Sequence, residues 1–264
     1  MAELLDLDAE VLHTYLSDVT SWVHELAAGQ PPRRILDLGS GTGTGAFALL
    51  RRFEAAEVVA ADMSELLLRR LESTARTLGV ADRVQTVVAD LDGVWPVFGT
   101  VDLVWASSSL HHMAEPDRVL AEVRSVLRPG GLLVVAEMDS FPRFLPVDVG
   151  AGLEARCHGA LAGERAAAVP HLGSDWGARL VGAGFTIEAE RTFAIDLKPP
   201  LPAANGRYAK ACLRRMRSNL DGRMSADDLA TLDALLDSDG PASFLQRADL
   251  TVRTARTVWV ARRP

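Results

Sequence analysis

Three carboxylates and a run of glycines are the residues of this chain best placed to do chemistry. Asp37 precedes Gly39-Ser40-Gly41-Thr42-Gly43, Asp62 closes the apolar run Val58-Val59-Ala60-Ala61, and Asp90 closes Val87-Val88-Ala89. Glycines in such a run permit positive φ and a close backbone approach to a ligand. A helix starting just after them would offer unpaired N–H groups. The neighbouring charges constrain that ligand. A phosphate loop needs Gly-Lys-Ser or Gly-Lys-Thr, and no lysine is present here. Gly41-x-Gly43-x-x-Ala46 satisfies the relaxed dinucleotide fingerprint, but Asp37 would then oppose a pyrophosphate. At about 5 Å and an effective dielectric near 20, each like-charge pair costs roughly 3 kcal/mol. No arginine or lysine lies between Ile35 and Leu50 to offset it. The carboxylates suit a cationic nucleoside without phosphate.

These residues need a frame to bring them together. Apolar runs at 34–38, 58–61, 84–88, 101–106 and 132–136 read as strands, and 44–53, 66–78 and 117–127 read as helices. Strands alternating with helices of roughly 10–15 residues predict βαβ units and a parallel sheet. Right-handed crossovers then put helices on both faces. Asp37, Asp62 and Asp90 end successive strands, so they share the sheet edge where open α/β sheets bind ligands. Before the sheet, Leu12, Leu16, Val19, Val23 and Leu26 predict one helix over 4–28, stopped by Gly29, Pro31 and Pro32. After Ser140 the pattern loosens. A helix over 148–168, one from Ser174 to Gly184, a period-two strand over 185–197, helices over 203–220 and from Ser225, and a strand over 254–261 follow. The expectation is a single domain over 1–264. Residues 1–30 supply an N-terminal helix, 31–140 the core that carries the glycine turn and the three acids, and 141–173 and 198–250 helical insertions that shape the pocket.

Asp37-x-Gly39-x-Gly41-x-Gly43, the later acids and the segment Val101–His112 ending Leu110-His111-His112 resemble the ordered motifs of class I (Rossmann-like) S-adenosylmethionine-dependent methyltransferases. The likeness is close over 33–137. It is looser through Ala183-Gly184-Phe185 and Thr257-Val258-Trp259-Val260. It implies an α/β fold: a seven-stranded, mostly parallel sheet, helices on both faces, an antiparallel last strand, and helical insertions after the fifth and sixth strands. S-adenosylmethionine, with its ammonium and sulfonium, is then the implied cofactor. The implied reaction is methyl transfer to an O, N or C nucleophile of a small molecule, with a secondary-metabolic acceptor among the options. By the same resemblance Asp37, Gly39, Ser40 and Gly41 line the cofactor, Asp62 takes its ribose hydroxyls, and Met63 packs on adenine. Asp90 and the Leu91 N–H meet the adenine edge, and the Ala106 carbonyl accepts from the ammonium. Leu110 and His111 lie beside the transferring methyl, with His111 as general base or substrate hydrogen-bonder. The competing reading of His111 is a structural histidine satisfied by backbone. Rival functions are an NAD(P)-dependent oxidoreductase, a non-catalytic S-adenosylmethionine-binding relative, and a different reaction on a sulfonium cofactor.

Other residues stay ambiguous at this level. Glu137 and Asp139 could meet the acceptor or sit in a solvated loop, and Asp92 reads as solvated. His158 and His171 could shape the pocket. The histidines show no metal spacing, so no metal is expected. The helix bearing Tyr15 and Trp22 could cap the cofactor or simply pack. Arg207, Lys210, Arg214, Arg215, Arg217 and Arg223 form either an exposed helix face or a site for an acidic substrate or partner chain. A net charge of −7 and the lack of interleaved aromatics argue against nucleic acid. So does the absence of an Asn-Pro-Pro-Tyr type sequence after the fourth strand. No apolar run approaches the length of about 20 residues that spans a bilayer. Cys157 and Cys212 fit no zinc or redox spacing, and MAELLDLDAE does not read as a signal peptide. The expectation is therefore a cytoplasmic protein with reduced thiols and a small-molecule substrate, a homodimer being left open.

Overall fold

The computed structural model describes residues 1–237 and 239–264. Its elements in chain order are α1 (Ala2–Val11), α2 (His13–Leu26), β1 (Arg34–Leu38), α3 (Thr44–Arg52), β2 (Glu57–Asp62), α4 (Glu65–Thr77), β3 (Val84–Val88), β4 (Val101–Ser107), α5 (Pro116–Val126), β5 (Leu127–Met138), α6 (Leu153–Ala160), α7 (Ala162–Ala168), α8 (Trp176–Gly182), β6 (Thr186–Leu197), α9 (Ala203–Arg217), α10 (Ala226–Leu236) and β7 (Val252–Arg262). The strands form one sheet in the order β3-β2-β1-β4-β5-β7-β6. The first five pair in parallel, and β7 runs antiparallel to both β5 and β6. This is the mostly parallel seven-stranded sheet, reversed in its last strand, that the family resemblance implied; the sequence pattern alone gave the five parallel strands.

The central strands read as continuous apolar runs because both their faces are covered. Successive side chains point to opposite faces. Ile35, Leu103, Trp105 and Val134 share one core with Val23, Leu49 and Leu71 of α2, α3 and α4. Leu36, Val104 and Val135 share the other with Leu120 of α5 and Leu180 of α8. Each fully buried large aliphatic side chain contributes roughly 1.5–3 kcal/mol. Both insertions join the first core, through Phe144, Leu153 and Cys157 from one and Tyr208, Leu213 and Phe244 from the other. The strand order reverses at the β1–β4 boundary, and an open parallel sheet leaves a crevice beyond its carboxyl ends at such a point.

Several boundaries differ from the sequence expectation, each for a physical reason. The helix expected over 4–28 breaks at Leu12 (φ −100°, ψ 21°). A straight helix has one buried stripe, whereas here Val19 and Val23 face the sheet core while Leu5 and Leu12 face a cavity. Two axes are needed, and α1 crosses to pack on α9. The helix expected over 148–168 is interrupted at Gly150 (φ 55°) and Gly152 (φ 84°), and again at Leu161. β5 begins at Leu127, which pairs with Val101 ahead of Pro129-Gly130-Gly131. The helix before β6 is capped by Asp175, whose carboxylate accepts from Ala178 N at 3.0 Å. Ser225 caps α10, but the Asp228 carboxylate turns to Arg156 at 2.5 Å. Among the described residues no helix is long and apolar enough to cross a membrane.

Candidate functional site

A cavity of about 540 Å³ lies at the carboxyl ends of the central strands, with residues of α1 and α2 on its other wall. The glycine turn forms its floor. Gly39 has φ 69°, and a Cβ there would sit 2.6 Å from Ser109 Cβ. Gly43 has φ 89°, and a Cβ would sit 2.6 Å from Leu71 Cγ. Conformation and packing thus both demand glycine at these positions. The turn is fastened to β2. Gly39 N and Ser40 N donate to the Ala61 carbonyl at 2.8 and 3.0 Å. Gly41 N donates to Asp62 Oδ2 at 2.9 Å, and Ser64 N donates to Asp62 Oδ1 at 2.8 Å. Asp62 is therefore a clasp between the turn and the start of α4. Each of its oxygens can accept a further bond.

Asp37, at the end of β1, is buried with 3% exposure and lines the cavity. Burial pushes its carboxyl up to about 7; the Ala46 backbone N–H opposes this and the Asp62 charge adds to it. Its Oδ2 has no hydrogen-bond partner, and neither do Ser40 Oγ, Trp105 Nε1, Ser108 Oγ, Ser109 Oγ and the Tyr15 hydroxyl. All of these residues line the cavity. Buried polar atoms are ordinarily paired. A cluster of unpaired ones around one void marks a surface that a polar ligand completes. The groups present fit a nucleoside with a cationic amino-acid tail: carboxylates at 37, 62 and 90, hydroxyls between them, and no lysine or arginine from the first three strands.

The Leu110-His111-His112 segment forms a tight 3-10 turn after β4. Glu137, only 1% exposed at the end of β5, holds this turn. Its Oε1 accepts from Ser109 N at 3.1 Å and Leu110 N at 2.8 Å, and its Oε2 meets His111 Nδ1 at 2.5 Å. His111 is 2% exposed and does not line the cavity. His112 does line it. Burial, then the neighbouring His111, lowers the His112 pKa, so its imidazole is neutral near pH 7 and able to accept a proton.

The remaining expected residues distribute as follows. Gly39, Ser40, Gly41, Met63, Asp90 and Leu91 line the cavity together with Asp37 and Asp62. Ala106 is fully buried in β4, just before the lining residue Ser107. Asp92 is not a free solvated acid: both its oxygens accept from Ala114 N at 3.0 Å, beside the start of α5. Asp139 accepts from Thr257 Oγ1 at 3.1 Å, and neither it nor Glu137 reaches the cavity. Tyr15 lines the cavity, whereas Trp22 packs on Phe193. His158 accepts from Arg165 at 2.9 Å, His171 lies 3.3 Å from Arg179, and both are outside the lining. The basic stretch is largely engaged within the chain, through Arg207–Glu10, Arg217–Asp233 and Arg223–Glu164. Sequence reading missed Asp8 and Arg256, which line the cavity and meet at 2.7 Å. Their separation of 248 positions hides any such pairing. Among the described residues no group of three His, Cys, Asp or Glu could hold a metal ion.

Comparison with known proteins places this geometry in context. Residues 35–131 match the model of a family described as a methyltransferase domain. A malonyl-[acyl-carrier protein] O-methyltransferase of Laribacter hongkongensis is 38% identical over 112 residues, which are 40% of this chain and 38% of that protein. The chain thus matches under half the length of these relatives. Among solved structures, an S-adenosylmethionine-dependent methyltransferase from Geobacter sulfurreducens in complex with S-adenosyl-L-homocysteine superposes with a TM-score of 0.53. It is 18% identical over 93% of this chain and 90% of its own. The [4+2]-cyclase SpnF superposes with a TM-score of 0.54, 21% identical over 94% of this chain and 81% of its own. These likenesses establish the fold; the shared fold with a cyclase leaves the reaction to the site.

Proposed function

We propose that this chain, which carries the methyltransferase domain of the class I S-adenosylmethionine-dependent family, moves a methyl group from S-adenosylmethionine to an O, N or C nucleophile of a small molecule. The observation that carries this reading is the cavity itself. It sits at the topological switch point, is lined by Asp37, Asp62 and Asp90, and holds unpaired polar atoms beside a neutral imidazole. A bound sulfonium would supply an electrophilic methyl group. The chain's task is then placement, which in model reactions is worth up to roughly 7–11 kcal/mol.

In this reading Asp62 accepts ribose hydroxyls on the lone pairs its clasp leaves free. Asp90, Leu91 and Met63 surround the adenine. Asp37, the glycine turn with Ser40, and the Ala106 carbonyl receive the cationic tail. His112 takes the base role first considered for His111. His111 acts as a positioning residue, because Glu137 joins it to the backbone of Ser109 and Leu110. The insertions, sharing a core with α1, shape the acceptor side. The acceptor is a small metabolite rather than nucleic acid, given the net charge of −7, and the setting is cytoplasmic.

The test has two parts. Calorimetry with S-adenosylmethionine and with NADH should show micromolar or tighter binding of the first and none of the second. Tight NADH binding alone would restore the oxidoreductase reading. Radiolabelled methyl transfer into a metabolite extract should then yield labelled product. Binding without transfer would favour a non-methylating reaction on this cofactor, as the likeness to a cyclase fold allows.

A further inference from the structure

We infer that Arg256 and Tyr15 form an anion subsite at the end of the cavity away from the nucleoside carboxylates, made to hold a carboxylate or similar anionic group. The inference rests on the reading of the cavity as the cofactor and acceptor site. Arg256 lies on β7, paired in register with Met138 of β5. It is 7% exposed and lines the cavity. Its Nη2 donates to Asp8 Oδ1 at 2.7 Å, while its Nε has no partner. The guanidinium carbon stands 5.3 Å from the centre of the Tyr15 ring. Tyr15 is 8% exposed, and its hydroxyl, turned toward the Arg256 guanidinium, has no acceptor for its own proton. Two buried donors, one of them charged, therefore wait on the same cavity wall for an acceptor.

Charge balance selects the kind of acceptor. The lining contains the carboxylates of Asp8, Asp37, Asp62, Asp90 and Asp92, and Arg256 is its only arginine or lysine among the described residues. Asp8 engages only Nη2 of that guanidinium and shares the same Oδ1 with the Tyr208 hydroxyl at 2.6 Å, which leaves Nε–H without an acceptor. An anionic oxygen bonded to Nε–H and the Tyr15 hydroxyl would satisfy both donors with charge-assisted bonds. Sheet order fixes the location. Asp62 ends β2 and Asp90 follows β3, whereas β7 lies on the far side of β4 and β5. A ligand whose nucleoside rests over β2 and β3 would extend its other end toward Arg256. The anion has two candidate sources: the amino-acid carboxylate of the cofactor, or an acid group on the acceptor.

S-adenosylhomocysteine and 5′-methylthioadenosine share the thionucleoside and differ in the amino-acid end. Calorimetric titration of both into the wild type, Arg256→Gln, Tyr15→Phe and Asp8→Asn separates the sources. If Arg256 holds the cofactor carboxylate, the wild type prefers S-adenosylhomocysteine, Arg256→Gln shrinks that preference at least tenfold, and Tyr15→Phe shrinks it about threefold. If the anion belongs to the acceptor, the preference is unchanged. Acetate then binds S-adenosylhomocysteine-saturated wild type at least tenfold more tightly than the saturated Arg256→Gln protein, against chloride at matched ionic strength. Asp8→Asn removes the charge of the bridge to α1 but keeps both donors, so the subsite should survive it. The inference is overturned if neither readout responds to Arg256→Gln. It is also overturned if Asp8→Asn loses as much as Arg256→Gln, since α1 docking would then explain both. Should Arg256→Gln fail to fold, Tyr15→Phe decides: no change in either readout overturns the subsite. Failure of the wild type to bind any adenosyl compound would instead strike the proposed function.

Discussion

Replacing Asp37 by asparagine should abolish a pH dependence built into the cavity. Burial lifts this carboxyl from an ordinary 3.8 to about 7, so the fold prefers its protonated form. The stabilising contribution is complete below pH 3.8 and is lost as pH climbs through about 7. At 1.36 kcal/mol per pH unit the whole loss is about 4 kcal/mol. Asparagine keeps the shape and cannot ionise. Between pH 4.5 and 8 the variant should therefore gain about 3 kcal/mol relative to the wild type. Any constant penalty from its amide beside the unpaired Trp105 Nε1 cancels in that difference. Urea unfolding across this pH range measures it, and parallel stability curves for the two proteins would refute the reasoning. The same carboxylate should favour a cationic ligand. Binding of S-adenosylmethionine near pH 6 should release a proton from the wild type and none from the variant, as titrations in buffers of different ionisation enthalpy would show.

Four further outcomes follow from the site. Asp62→Ala removes the clasp on Gly41 and Ser64 and should weaken S-adenosylhomocysteine binding by roughly 1.5–3 kcal/mol; an unchanged calorimetric Kd would remove Asp62 from the cofactor site. Gly39→Ala sets a Cβ against Ser109 at a φ of 69° and should cost about 2–4 kcal/mol of stability, with a thermal midpoint equal to the wild type counting against the packing account. His112→Ala should lower the methyl-transfer rate and flatten its pH profile while leaving S-adenosylhomocysteine affinity intact. His111→Ala should instead lose about 3–5 kcal/mol of stability, because the Glu137 carboxylate loses its buried partner. Chemical denaturation of both variants distinguishes the two roles, and the assignment fails if His112→Ala is the less stable protein.

What could be read from the sequence was what depends on local order along the chain. A strand buried on both faces is a short apolar run, and a crossover helix has a periodic stripe, so the five parallel strands and the acids that end the first three stand out in one dimension. Contacts between distant segments do not. His111 and His112 are adjacent in sequence, yet a 3-10 turn rotates successive side chains by about 120°, and only the pairing of β4 with β5 brings Glu137 beneath the first of them. The acidic start of the chain and the basic stretch after residue 206, which the sequence offered as an exposed helix face or a site for an acidic substrate or partner chain, lie far apart in sequence. They meet through Glu10–Arg207, Asp8–Tyr208 and the Arg215–Met1 sulfur contact. That meeting has a functional corollary. Asp8 touches α9 and β7 at once while lining the cavity, so the helix beside the ligand is held by the second insertion and the last strand. In the proposed reading the nucleoside end rests on strand termini, and the acceptor end on elements joined by polar contacts of Asp8. In that reading, sequence change in the insertions alters the acceptor while leaving the cofactor cradle untouched, and motifs confined to the cradle carry no information on the acceptor.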